Sequence, residues 1–73
     1  MEILSTREVG DSQIAVRVRN GGHERVCGII QNGAKQNQVV LLAGESREIM
    51  VDVVHGIREP VITDVQVWHK GPK

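Results

Sequence analysis

Apolar and polar residues alternate one by one along most of the chain, and a period of two belongs to a strand with one buried face. Ile14, Val16 and Val18 alternate with Ala15, Arg17 and Arg19, and Ile49, Val51 and Val53 alternate with Glu48, Met50 and Asp52. Helical spacing has no comparable run. Twelve Val and seven Ile reinforce the pattern, because β-branched side chains are stiff at χ1 and fit a pleated surface.

Residues 1–12 read as an edge strand from Glu2 to Ser5 followed by a turn at Val9-Gly10-Asp11-Ser12. Gln13 to Arg19 is the first clear strand. Asn20-Gly21-Gly22 ends it with the strongest hairpin signal in the chain, which brings Glu24 to Gln31 back beside it. Gly28 inside that second strand signals a bulge or a close backbone approach. After a turn at Asn32-Gly33, Gln38 to Ala43 is apolar on both faces, as a central or interface strand would be. Arg47 to Val54 follows a turn at Ala43-Gly44-Glu45-Ser46, His55-Gly56 breaks it, and Pro60 precedes a last strand from Val61 to Trp68. The tail from Lys70 to Lys73 is expected to fray.

Turn signals thus recur roughly every 8 to 12 residues, the spacing of small sandwiches and barrels. The chain is expected to be one all-β domain over residues 1–73, a small antiparallel β-sandwich or squashed barrel of five to six strands. Its expected core takes Ile14, Val16 and Val18, then Val26 and Ile30, then Val39 and Leu41, then Ile49, Val51 and Val53, and finally Val65 and Val67. A domain of 73 residues has a thin hydrophobic core. Its single cysteine, Cys27, excludes an intrachain disulfide, so a partner surface is the favoured source of extra stability.

Nine basic and nine acidic side chains leave no net charge to steer the chain toward nucleic acid or an anionic membrane. The start lacks the apolar stretch of a signal peptide, and no apolar run is long enough to span a bilayer, so a cytoplasmic origin is expected. His23 and Cys27 have no third ligand at a structural zinc spacing, and His55 and His69 lie near glycines or strand ends. Asp11, Asp52 and Asp64 are scattered, no serine sits in a nucleophile elbow, and no glycine-rich phosphate loop occurs. The expectation is therefore no enzyme, no metal and no cofactor.

Arg17 and Arg19 share a strand face, and Arg25 is expected to join them across the hairpin as a basic stripe. With Trp68 as the one aromatic residue, the stacking platforms of single-strand binders are lacking, which disfavours nucleic acid as a partner. Filling one core leaves Val40, Leu42, Met50, Val54, Ile62 and Trp68 as surplus apolar residues. The expected interface is Arg17, Arg19, Arg25, Val40, Leu42, Met50 and Trp68, with Trp68 as anchor, because Trp and Arg dominate binding hot spots.

Val16-Arg17-Val18-Arg19-Asn20-Gly21-Gly22, followed by the run from Val39 to Val53 with Ala43-Gly44-Glu45-Ser46 at its centre, resembles bacterial and phage immunoglobulin-like modules. The resemblance implies an adhesive or structural role without catalytic residues, in a trimmed sandwich lacking a strand or two. A capsid decoration protein or other accessory of a larger assembly is the function it suggests, with self-association, and a virion location in that case; an inhibitor of a host enzyme shares the same traits. The stretch from Met1 to Gly10, with Gly33 to Val39 and Arg47 to Val51, is also similar to the carbon storage regulator family of small RNA-binding dimers. From that family only Leu4 and Arg7 carry over as RNA contacts. Its later arginine has no counterpart near Asp52 to Val54, and a β segment after Pro60 stands where its helix would be.

Overall fold

Each alternating segment becomes a strand in the structure, a computed structural model that describes residues 1–68. The strands are β1 (Glu2–Glu8), β2 (Gln13–Arg19), β3 (Val26–Asn32), β4 (Lys35–Leu41), β5 (Ser46–Asp52) and β6 (Val61–Val67). They pair antiparallel in two three-stranded sheets, ordered β1-β2-β5 and β4-β3-β6. The sheets meet with β4 beside β5 and β6 beside β1, forming a small β-sandwich without a helix among the described residues. The frayed tail expected from residue 70 onward, and His69, lie outside the described residues.

The inward positions of the two sheets make the core. Ile14, Val16 and Val18 of β2 and Val51 of β5 meet Ile30 of β3 and Val39 and Leu41 of β4, all buried. Ile49, Val53, Met1 and Ile3 pack against this cluster at its margin, and Val26 is half-buried.

Asn20-Gly21-Gly22 does not make a hairpin: β2 and β3 belong to different sheets, and the chain crosses between them there. Asn20 keeps the inward direction of Val18 and is buried. Its Nδ2 donates to the carbonyls of Glu24, Leu41 and Leu42 at 2.7, 3.3 and 3.1 Å, and its Oδ1 accepts from Gly22 N at 3.0 Å. The tight hairpin is at Gly33-Ala34, between the paired residues Asn32 and Lys35. Gly33 has φ of +63°, the sign that a II′ turn needs at its first central residue. β4 consequently begins at Lys35 and is an edge strand, not a central one.

β6 departs most from simple alternation. Its register against β3 shifts between Cys27 and Ile29, so Asp64 and Val65 both stand opposite Gly28, and Asp64 adopts a left-handed φ of 54°. The extra residue restarts the alternation. Ile62, expected among the surplus, therefore faces Ile30's side of the sheet and packs against the core. Val65 and Val67 also point inward but remain 44% and 41% exposed, because β6 is an edge strand that the opposite sheet does not cover there. Gly28 lies opposite the bulge, whose extra residue is in β6, and the close approach to it is by side chains and not by backbone: a Cβ there would stand 3.3 Å from Met1 Sδ and from Val65 Cγ2.

Candidate interaction surfaces

The sandwich presents two outer faces of opposite chemistry. On the first sheet the outward rows hold Glu2, Arg19 and Ser46, then Arg17 and Glu48, then Arg7, Ala15 and Met50, then Gln13 and Asp52. Arg7 reaches across the central strand and clasps Glu48 through two bonds, Nε to Oε2 at 3.1 Å and Nη2 to Oε1 at 3.0 Å. Small Ala15, buried between Arg7 and Met50, leaves room for that crossing. The Arg7 hydrogen bonds hold the Glu48 carboxyl below its ordinary range and raise the Arg7 guanidinium further. Charge pairs lace this face, Arg7 with Glu48 and Asp52 with Lys35, and Met50, 48% exposed, is the large apolar side chain among them.

The outer face of the second sheet is different. Alternation along β3 turns Cys27, Ile29 and Gln31 outward, opposite Val40, Gln38 and Gln36 on β4 and beside Gln66, Thr63 and Val61 on β6. One residue further, Leu42, Arg25 and Trp68 continue the rows, with Trp68 N donating to Arg25 O at 2.8 Å. The Arg25 guanidinium lies over the Trp68 ring, 5.8 Å from its centroid. Leu42 is 58% and Trp68 40% exposed. Amides and apolar side chains dominate; among the described residues Arg25 and Asp64 are the charges of this surface. An open depression of about 230 Å³ lies in it, lined by Cys27, Gly28, Ile29, Gln38, Asp64 and Gln66.

The residues expected to form one interface are thus divided. Arg17, Arg19 and Met50 belong to the charged face, whereas Arg25, Val40, Leu42 and Trp68 belong to the amide-rich face. The three-arginine stripe does not form, because it required β2 and β3 to be neighbours. Of the two residues carried over from the RNA-binding resemblance, Leu4 is exposed and Arg7 is engaged by Glu48. His23 and His55 are exposed in loops, and among the described residues no three His, Cys, Asp or Glu side chains gather as a metal site. No helix of the described residues is long and apolar enough to cross a membrane.

Two polar side chains that position these faces escape a reading of turn signals. Asn20 fastens one end of the sandwich, and Asn32, fully buried, fastens the other: its Nδ2 donates to Asp52 O at 3.0 Å and Ile57 O at 2.8 Å, and its Oδ1 accepts from Glu59 N at 3.0 Å. The signal was parity, since Asn20 follows Val18 and Asn32 follows Ile30 on inward positions. Compared with known proteins, the chain matches no family model, no curated protein and no solved structure.

Proposed function

We propose that this chain is a non-enzymatic interaction module, an immunoglobulin-like sandwich that attaches to a larger protein assembly through the outer face of its second sheet. The observation carrying this reading is the contrast between the faces. One is charge-paired and suited to water, while the other offers exposed Leu42, Val61 and Trp68 among uncharged amides. Depletion of charge with an aromatic anchor is the composition of an interface core. Arg25 holds the Trp68 ring from one side, which lowers the entropy lost when a partner covers it.

The strand pairing supports the immunoglobulin-like part of the reading: the second strand pairs with the fifth and the third with the sixth, as in that sandwich class. A capsid lattice, which offers many copies of one site to a small stable domain, is the assembly this reading favours. The experiment is cosedimentation of the purified chain with assembled shells of a capsid protein taken from the genes that flank its own. Trp68→Ala is expected to lower the affinity about 30-fold or more, as loss of a hot spot does, whereas Arg19→Ala on the opposite face leaves it unchanged. No binding by the wild type, or equal binding by folded Trp68→Ala, would sink the proposal.

A further inference from the structure

We infer that the free edge of β6 pairs with β6 of a second copy of this chain, joining two second sheets into one continuous sheet across a twofold axis. Open sandwiches usually blunt their edge strands with charge. Here β1 carries Glu2, Arg7 and Glu8, β5 carries Arg47, Glu48 and Asp52, and β4 carries Lys35. β6, Val-Ile-Thr-Asp-Val-Gln-Val, has Asp64 as its single charge and is otherwise rich in β-branched residues. β4 also has a single charge, Lys35, but three amides, Gln36, Asn37 and Gln38, follow it, so β6 is the one edge both nearly uncharged and rich in β-branched residues, and the edge of a second copy that matches it is its own β6.

Hydrogen-bond parity identifies the backbone groups that face outward. Trp68 N donates to Arg25 O, so residues 68 and 66 turn their polar backbone groups toward β3. Val65 and Val67 then turn theirs toward the open edge. The side chains of the same two valines lie on the inner face yet are almost half exposed, so the core is unfinished at this edge. The bulge at Asp64 takes residues 61–63 out of line, leaving 65–67 as the regular stretch.

Antiparallel pairing of that stretch with itself has one register that uses it fully: Val65 opposite the partner's Val67, and Gln66 opposite the partner's Gln66. The valines then cover one another as cross-strand pairs. Asp64 comes opposite the partner's Trp68, over which the partner's Arg25 lies, so the two charges of the surface meet across the axis. Among the described residues neither Arg25 nor Asp64 has an ion-pair partner within its own chain. A twofold contact of this kind closes at the dimer.

The inference rests on the edge and not on the outer face, so it stands or falls separately from docking to an assembly. In this register the two Gln66 residues form a non-hydrogen-bonded pair with Cα atoms about 4.5 Å apart, within disulfide reach. Gln66→Cys is tested in a Cys27→Ser background, because Cys27 pairs with Gln66 within one chain. On mild oxidation it is expected to cross-link to a dimer about tenfold faster or more than Gln38→Cys, on β4 of the same outer face. Equal rates would mark a face-to-face dimer and overturn the pairing.

In sedimentation, Val67→Pro removes an edge-facing N–H without removing a bond to β3, and should weaken the dimer about tenfold or more. If that variant unfolds, Val65→Lys, which places a charge on the same edge, serves with the same expectation. A wild-type chain that stays monomeric at millimolar concentration, or folded edge variants that dimerise as tightly as wild type, would disprove it.

Discussion

Asn32 has no exposure to solvent, and all three of its hydrogen bonds go to backbone groups outside its own strand, at the end of β5 and in the connection to β6. Its amide holds two carbonyls and one N–H, through three part-buried bonds that fasten the end of β5 and the connection to β6 onto β3. Asn32→Asp keeps the shape but replaces the donor by an acceptor, turning two attractions toward carbonyl oxygens into repulsions. Denaturant unfolding is expected to show a loss of about 1–3 kcal/mol for Asn32→Ala and a larger loss at neutral pH for Asn32→Asp. An Asn32→Asp variant as stable as wild type would show that the amide is not the clasp. Local sequence grammar read Asn20 as a hairpin former and Asn32 as a turn residue because Asn-Gly favours turns, and of the two it is Asn32 that borders a hairpin. Their inward parity was visible as well, but a short polar side chain at an inward position announces its partners only once the crossing segments are in place.

At the scale of elements, alternation identified β2 and β5 closely, since the two pair with each other in unbroken register and meet on the inner face through Ile14, Val16, Ile49 and Val51. It misplaced Ile62 relative to Val65 and Val67, because an extra residue at Asp64 reverses parity and nothing in the composition of β6 marks where that happens. The division of the expected interface residues between two opposite faces was equally hidden. Arg17 and Arg25 are near in sequence, but which sheet each joins depends on long-range pairing. The first sheet carries a further element-scale clamp, the Arg7 to Glu48 contact that ties β1 to β5 across β2. Hydrogen bonding from Arg7 lowers the Glu48 carboxyl in the folded state. Stabilisation from it is present above the unfolded carboxylate range and is lost as pH falls through the lower folded value. Thermal melts of wild type should therefore fall on acidification more steeply than those of Glu48→Gln, and parallel curves would remove the clamp from the account.

For the whole molecule the limiting quantity is the size of the core. Seven buried aliphatic side chains form it, and Ile30, with no exposed surface, lies at the centre strand of its sheet. A single core in a chain this short rarely contributes more than about 3–5 kcal/mol of net stability. Truncating Ile30 to Ala removes roughly 2–5 kcal/mol, which is most of that, whereas Ile30→Val removes roughly 0.5–1.5 kcal/mol. The isolated Ile30→Ala chain is expected to lose its strand circular dichroism near room temperature, and the Ile30→Val chain to keep it with a lower midpoint. Association bears on the same balance by mass action, because a partner that binds only the folded chain raises its apparent stability with concentration. If β6 pairs between copies, the wild-type melting temperature rises with protein concentration and that of the edge variant Val65→Lys does not. The slope of that dependence separates the two sources of stability: a concentration-independent midpoint in both chains would mean that the seven-residue core holds the fold without association and that the half-exposed valines of β6 contribute only through packing within one chain.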